Sequence, residues 1–292
     1  MDEPGFKLSN ATVAIVGLGL MGGSLALALR AKDTCAKMIG IDSNGATREQ
    51  AIACGAVDQA SDELSLLAQA NVIVLATPVR TIVELLPRVG VVARENSIVI
   101  DLGSTKHEIT HAMEQLPAQV QVIGGHPMCG KESSGFAAAD ANLFRDATFA
   151  LTPLARTSAA TLAFAQSLVE TTGARPLVID AERHDRIVAT TSHLPFVVAA
   201  VLMATADDIS HDEESLFRLA ASGFRDTSRL AASDPTMMSD ILLTNRANVV
   251  KMLKHFSVQL NELTNLIDRA DAAELLTHLQ TIAESRQKIS RG

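Results

Sequence analysis

The sequence predicts a doubly wound α/β domain over residues 1–180, followed by an all-helical domain over residues 181–292. Three observations predict it. Short β-branched apolar runs alternate with helical patterns up to about Asp180, no such run follows, and a glycine-rich turn joins the first run to the first helix. Continuous apolar strands separated by helices are the pattern of a mostly parallel sheet covered on both faces.

The strand-like runs are, in order, residues 12–16, 38–41, 72–76, 98–101, 120–123, 148–151 and 177–179. Each is bounded by Gly, Pro or Asp and leads into an amphipathic or Ala-rich stretch, the βαβ rhythm. Beyond residue 180, Ala-, Leu- and Met-rich helical patterns take over. Val249, Leu253, Phe256, Leu260, Leu263 and Ile267 recur at alternating spacings of four and three, which sets them on one helix face. That stripe must bury against something, and two covers are open: the core of a bundle within the chain, or a second subunit.

Composition limits what such a chain does. With 33 acidic against 25 basic residues and a net charge of -8, it offers no polyanion-binding face, so nucleic acid is excluded as a partner and so is a basic membrane anchor. Cys35, Cys54 and Cys129 are odd in number and lack paired metal-ligand spacing, so no metal is expected and the thiols fit a reducing cytoplasm. The opening MDEPGFKLSN has no apolar segment. The longest apolar run, 194–206, holds Pro195 and is too short to span a bilayer, so the expectation is a soluble, untargeted protein. Trp and Tyr are absent, leaving aliphatic side chains and nine Phe to fill the core.

In VAIVGLGLMGGSLALAL, Gly17, Gly19 and Gly22 form G-x-G-x-x-G directly after the first strand, with Leu20 and Met21 opening the helix. The first glycine permits a tight turn, the second a close backbone approach to a pyrophosphate, and the third close packing of helix on strand. The pyrophosphate then sits at the positive end of the helix. The second strand ends in Asp42, twenty residues past Gly22, where a carboxylate hydrogen-bonds the adenosine ribose. A Rossmann-type domain that binds NAD follows, with NAD preferred because Asp42 repels a 2′-phosphate; Ser43, Asn44 and Arg48 are the neighbours able to overturn that preference. Two further strand ends, Thr77 with Pro78 and the run from Asp101 to Thr105, stop at the ligand crevice of such a sheet. Thr105 and Glu108 have capping-box spacing, which assigns Thr105 to the helix start and leaves Ser104 to face the crevice.

GGHPMCG, residues 124–130, places His126 directly after the strand-like run 120–123. Oxidising an alcohol removes a hydride from carbon and a proton from oxygen, and a neutral imidazole suits the proton. From spacing alone, a structural histidine held by hydrogen bonds is the commoner case.

These stretches, with GGHPMCGKESSG, HDRIVATTSHLP and SGFRDTSRLAASDP, resemble the prephenate and arogenate dehydrogenase family of tyrosine biosynthesis, over nearly the whole chain and with motif order kept. The resemblance implies NAD-dependent oxidative decarboxylation of a cyclohexadienol: prephenate to 4-hydroxyphenylpyruvate, or arogenate to tyrosine. It matches His126 to the catalytic histidine that engages the ring hydroxyl and Ser104 to a serine that positions the same group. Arg229 matches the arginine binding a substrate carboxylate, and a guanidinium fork suits that planar group. His184 and His193 match histidines lining the cleft, with packing a rival role for His193. Glu132 matches a polar residue at the mouth of the site, where a solvated surface role is the rival. The family also implies a homodimer through the helical domain.

Two departures bear on specificity. After SHLP this chain has Phe196 where many prephenate-using relatives carry histidine, which favours arogenate or mixed use. Lys131 stands where a small hydroxylated residue is common. The chain closes soon after the helical region, so no appended regulatory domain is expected. Two other readings are carried: a related two-domain dehydrogenase of another small carboxylated alcohol, and a non-catalytic NAD-binding sensor.

Overall fold

A computed structural model gives the structure of residues 7–131 and 133–289; Glu132, the first six residues and the last three lie outside the described residues. One eight-stranded sheet forms in the order β3-β2-β1-β4-β5-β6-β7-β8. Its strands are β1 Thr12–Val16, β2 Lys37–Ile41, β3 Gln59–Ser61, β4 Val72–Leu75, β5 Ile98–Asp101, β6 Gln121–Pro127, β7 Thr148–Thr152 and β8 Arg175–Val178. All neighbours run parallel except β6 and β7. Around the sheet lie α1 Leu20–Ala31, α2 Gly45–Ala53, α3 Val79–Val92, α4 His107–Glu114 and α5 Ala159–Thr171. Successive strand residues enter opposite cores, because side chains alternate across a pleated sheet. Val13, Ile15, Val74 and Ile100 pack with α1 and α5 residues such as Leu25, Leu29 and Leu168, while Ala14, Val16, Ile73, Leu75 and Val99 pack with Ile82, Leu86, Ile109 and Met113 of α3 and α4.

The sheet is the doubly wound one the sequence predicts, with three differences. β3 carries no apolar run, since it is the three-residue, half-buried edge strand QAS. β6 and β7 are joined by a long loop instead of a covering helix, which lets β7 return antiparallel. The third difference concerns His126. It does not follow a strand that ends at residue 123: β6 continues through the two glycines, and His126 pairs with Ala150 inside it. The glycines are there for close approach, because a Cβ on Gly124 would overlap Thr152 Oγ1 and one on Gly125 would lie 2.5 Å from the Asp101 carbonyl oxygen.

After β8 come α6 Ala181–Val188, a wide π turn at Ala189–His193, and α7 Leu194–Ser210. Pro195 has no N–H to continue an α ladder, and the wide turn absorbs the mismatch. The three pieces make one continuous helix, Ala181–Ser210, which is long and apolar enough to cross a membrane by length and composition alone. The expectation of too short a run is corrected on that point: the helix extends well ahead of residue 194. Helices α8 Ser222–Ser228 and α9 Pro235–Thr244 follow, and a turn at Arg229–Ala232 packs against α7 together with α8.

The described residues form two compact units, divided between Arg246 and Ala247. The first holds the sheet and the helices through α9. The second is built from α10, Arg246–Asp268, and α11, Ala272–Ile289. Along the predicted stripe of α10, Val249 is buried, Leu253, Phe256 and Leu263 are half-buried, and Leu260 and Ile267 are exposed. Leu276, Leu279 and Ile282 of α11 are also about half exposed.

Candidate active site

At the first βα turn, Gly17 has φ +91, and a Cβ there would lie 2.8 Å from the Ala76 carbonyl oxygen. A Cβ on Gly22 would overlap the Gly17 carbonyl oxygen. Gly19 caps α1 without a side-chain partner, the first turn bearing Leu20 and Met21 has no acidic residue, and the space at the Gly19 Cβ position is open. Free amides at the positive end of a twelve-residue helix, beside open space, fit a pyrophosphate. The Asp42 carboxylate accepts hydrogen bonds from the amides of Leu18 and Asn44, both at 2.8 Å, so it braces the glycine turn. Arg48 donates to the carbonyl oxygens of Asp42 and Ser43 at 2.7 and 3.1 Å. Thr77 packs its methyl against Gly17, and its buried hydroxyl has no partner among the described residues; Pro78 caps α3. An orphaned hydroxyl beside the turn is a further point of fit for a nucleotide.

Behind the other end of the crevice lies a chain of polar side chains. His126 Nδ1 meets His184 Nε2 at 2.9 Å, with the rings edge-to-face. His184 Nδ1 meets Asp185 Oδ1 at 2.8 Å. Asp185 also accepts from the amides of Lys106 and His107, at 2.7 and 2.9 Å, and so caps α4 from a distant helix. Thr105 does not form the expected capping box: its buried hydroxyl pairs with that of Thr244 at 2.9 Å, because Asp185 already occupies the helix start. Ser104 is half-buried in the same loop and makes no side-chain hydrogen bond among the described residues.

Beneath His126, the fully buried Lys106 ammonium pairs with the Asp101 carboxylate and donates to the Gly125 carbonyl oxygen at 2.6 Å. Asp101 in turn accepts from the amides of Gly103 and Gly125, at 2.8 and 3.0 Å. This pair ties the ends of β5 and β6 to the start of α4, and so fixes the loop carrying Ser104 relative to His126.

Burial holds His126 well below the ordinary histidine range, helped by neighbouring His184, Lys106 and His193. His193 is also pushed down, to about 4, chiefly by burial. Both rings are therefore neutral near neutral pH, the state a proton acceptor needs. Asn245 donates to the Asp185 carbonyl oxygen at 2.7 Å and lies 3.2 Å from His193 Nδ1. An amide N–H facing Nδ1 leaves the His193 proton on Nε2. Nine residues of ideal α-helix make about two and a half turns and would set His184 and His193 on opposite sides. The π turn under-winds the helix between them, and both rings are buried.

Arg229 is exposed on the turn that packs against α7, and Phe196 is half-buried on α7, three residues past His193. Lys131 pairs with Asp140 at 3.1 Å and reaches the Ala138 carbonyl oxygen, so it braces its own loop. Glu132 falls outside the described residues. Sequence reading missed Asp101, Lys106, Asp185 and Asn245. The one available signal for the first three was their place inside the motifs DLGSTK and HDRIVA.

Comparison with known proteins follows the same division of labour. Residues 25–178 match the family described as prephenate dehydrogenase, nucleotide-binding domain, and residues 180–281 match prephenate dehydrogenase, dimerization domain. The glycine turn precedes the matched stretch, and its reading rests on the geometry above. Prephenate dehydrogenase of Bacillus subtilis is 33% identical over 94% of this chain and 75% of its own length. A crystal structure of prephenate dehydrogenase from A. aeolicus, in complex with hydroxyphenyl propionate and NAD+, superposes with a TM-score of 0.90 at 33% identity, covering 95% of this chain and 98% of that one. Arogenate dehydrogenase from Synechocystis gives 0.81 at 34% identity, over 95% of this chain and 99% of that one.

Proposed function

The chain belongs to the prephenate dehydrogenase family, and we propose accordingly that it converts a cyclohexadienol carboxylate, prephenate or arogenate, to its aromatic product by NAD-dependent oxidative decarboxylation. The observation that carries the reading is His126: a neutral imidazole near the end of β6, backed by His184 and Asp185.

NAD, when bound at the glycine turn, supplies the hydride acceptor. His126 takes the proton from the ring hydroxyl as hydride leaves the same carbon. Ser104 orients that hydroxyl. The bond to the ring carboxylate then breaks, carbon dioxide leaves, and the freed electron pair passes through the ring to the former hydroxyl oxygen, which takes its proton back from His126; the ring is then aromatic, and the carbon that lost the carboxylate needs no acid. Arg229 holds a substrate carboxylate. His184 and His193, read from sequence as cleft residues, are buried, and His184 backs His126.

Phe196 cannot hydrogen-bond a keto-acid side chain, which supports arogenate or mixed use. The domains divide near residue 180 in this proposal, as the two family matches support. The dimerisation match and the exposed apolar residues of α10 and α11 support a homodimer through the helical part. Three free thiols support a cytoplasmic enzyme.

The test offers prephenate and arogenate separately with NAD and follows absorbance of the reduced nicotinamide. Turnover of both, with the higher kcat/KM for arogenate, is expected. Turnover of neither overturns the proposal.

A further inference from the structure

We propose that Asp185 is a positioning residue that, through His184, fixes which nitrogen of His126 carries its proton; the proposal rests on the reading of His126 as the base. Donors and acceptors alternate along the chain of side chains. Asp185 Oδ1 is an acceptor, shared between the Lys106 amide at 2.7 Å and His184 Nδ1 at 2.8 Å. His184 therefore holds its proton on Nδ1 and presents a bare Nε2. His126 Nδ1 lies 2.9 Å from that bare nitrogen, so it must be the protonated one; the other tautomer would face two lone pairs across that distance. His126 Nε2 is left unprotonated and makes no hydrogen bond among the described residues. The nitrogen available to a substrate hydroxyl is thus set by a carboxylate at the far end of a hydrogen-bond chain.

The same chain serves the charged state. Once Nε2 has taken the hydroxyl proton, the imidazolium still donates from Nδ1 to His184, whose far nitrogen rests on the Asp185 carboxylate. Among the described residues, the charged and titratable groups facing His126 are the Lys106–Asp101 pair from the ends of α4 and β5, His184 and Asp185 from α6, and His193 from the π turn. Of these, Asp185 is the carboxylate joined to the ring by hydrogen bonds through a single side chain. It also caps α4, so loss of activity on replacing it would not separate the two roles. Among the described residues the His184 side chain makes no hydrogen bond to the backbone of α4, so it separates them.

The first measurement is nitrogen-15 NMR of the histidine rings in the intact resting enzyme, in which protonated and bare ring nitrogens have well-separated shifts. His126 is assigned by its loss in His126→Gln. A protonated Nδ1 with a bare Nε2 is expected; a protonated Nε2 overturns the proposal. The second measurement compares His184→Gln with His184→Leu. A glutamine amide can accept from His126 Nδ1 while donating to Asp185, so kcat should stay within roughly 10-fold of the parent, whereas leucine should lower kcat roughly 10²-fold with KM little moved. Equal kcat in the two variants, high or low, overturns the proposal. If His126→Asn itself turns over at the parent rate, the reading of the reaction fails and the proposal with it. If His126→Asn is inactive and the tautomer is reversed, the proposal alone fails.

Discussion

Replacing Lys106 with methionine tests the buried foundation of the site. Lys106 and Asp101 are both fully buried, and methionine fills a similar volume without the charge. The ammonium's two contacts, to the Asp101 carboxylate and the Gly125 carbonyl oxygen, are lost. Removing one partner of a buried pair costs about 3–5 kcal/mol, because an uncompensated charge stays behind. Asp101 keeps the amides of Gly103 and Gly125, which argues for the lower end. At about 2–4 °C per kcal/mol for a unit of this size, about 3 kcal/mol is a fall in Tm of about 6–12 °C. The pH dependence has a definite sign. Burial already raises the Asp101 carboxyl above the ordinary carboxylate value, and Lys106 opposes that rise. Without Lys106 the folded value climbs further. A carboxyl raised in the folded state leaves stability intact below its unfolded value and removes it as pH rises through the folded one. The deficit of Lys106→Met relative to the parent should therefore be smallest in mild acid and widen toward neutral pH. Urea unfolding followed by far-ultraviolet circular dichroism measures it, since the chain has no Trp to report by fluorescence. A deficit below about 1 kcal/mol, or one independent of pH, would show that the buried pair does not hold the site together in this way.

The remaining predictions concern the cofactor and the base. Gly22→Ala should abolish NAD binding in calorimetry, because the new methyl overlaps the Gly17 carbonyl oxygen; parent affinity would contradict the glycine-turn geometry. Asp42→Asn should shift the ratio of kcat/KM values toward NADP by roughly 10-fold, the size of about 1.4 kcal/mol of relieved repulsion, with Arg48 close by. An unchanged ratio would remove Asp42 from cofactor choice. The acid limb of the kcat/KM profile should have its midpoint below 6.5, since the base must be neutral and His126 is held below the usual histidine value. A midpoint at or above 6.5 would mean that another group titrates.

Features written within a single segment were legible in the sequence. Six of the strands announce themselves as β-branched runs because they are mostly buried, and the glycine turn follows the first of them directly; β8 is legible by its apolar residues although Leu177 and Val178 are exposed. β3 is polar and at the edge, so no hydrophobic pattern marks it. The glycines at 124 and 125 read as a turn from composition, yet they extend a strand, because only the folded neighbours Thr152 and Asp101 reveal the lack of room for a side chain. Thr105 had a capping-box partner at the right spacing, and a carboxylate far along the chain, Asp185, took the helix start in its place. The polar chain behind His126 joins residues from β6, α6 and the loop before α4, and hydrogen bonding between such distant segments leaves no periodic trace. His184 and His193 both appear as motif residues, but an ideal helix would separate them, and the π turn that brings them round answers the N–H missing at Pro195.

Whether His126 is the base is decided by His126→Asn, with kcat and KM measured for prephenate and for arogenate at saturating NAD. The expected result is a kcat lower by roughly 10²-fold or more on the turned-over substrate, with KM little changed. A kcat equal to the parent's would contradict the assignment.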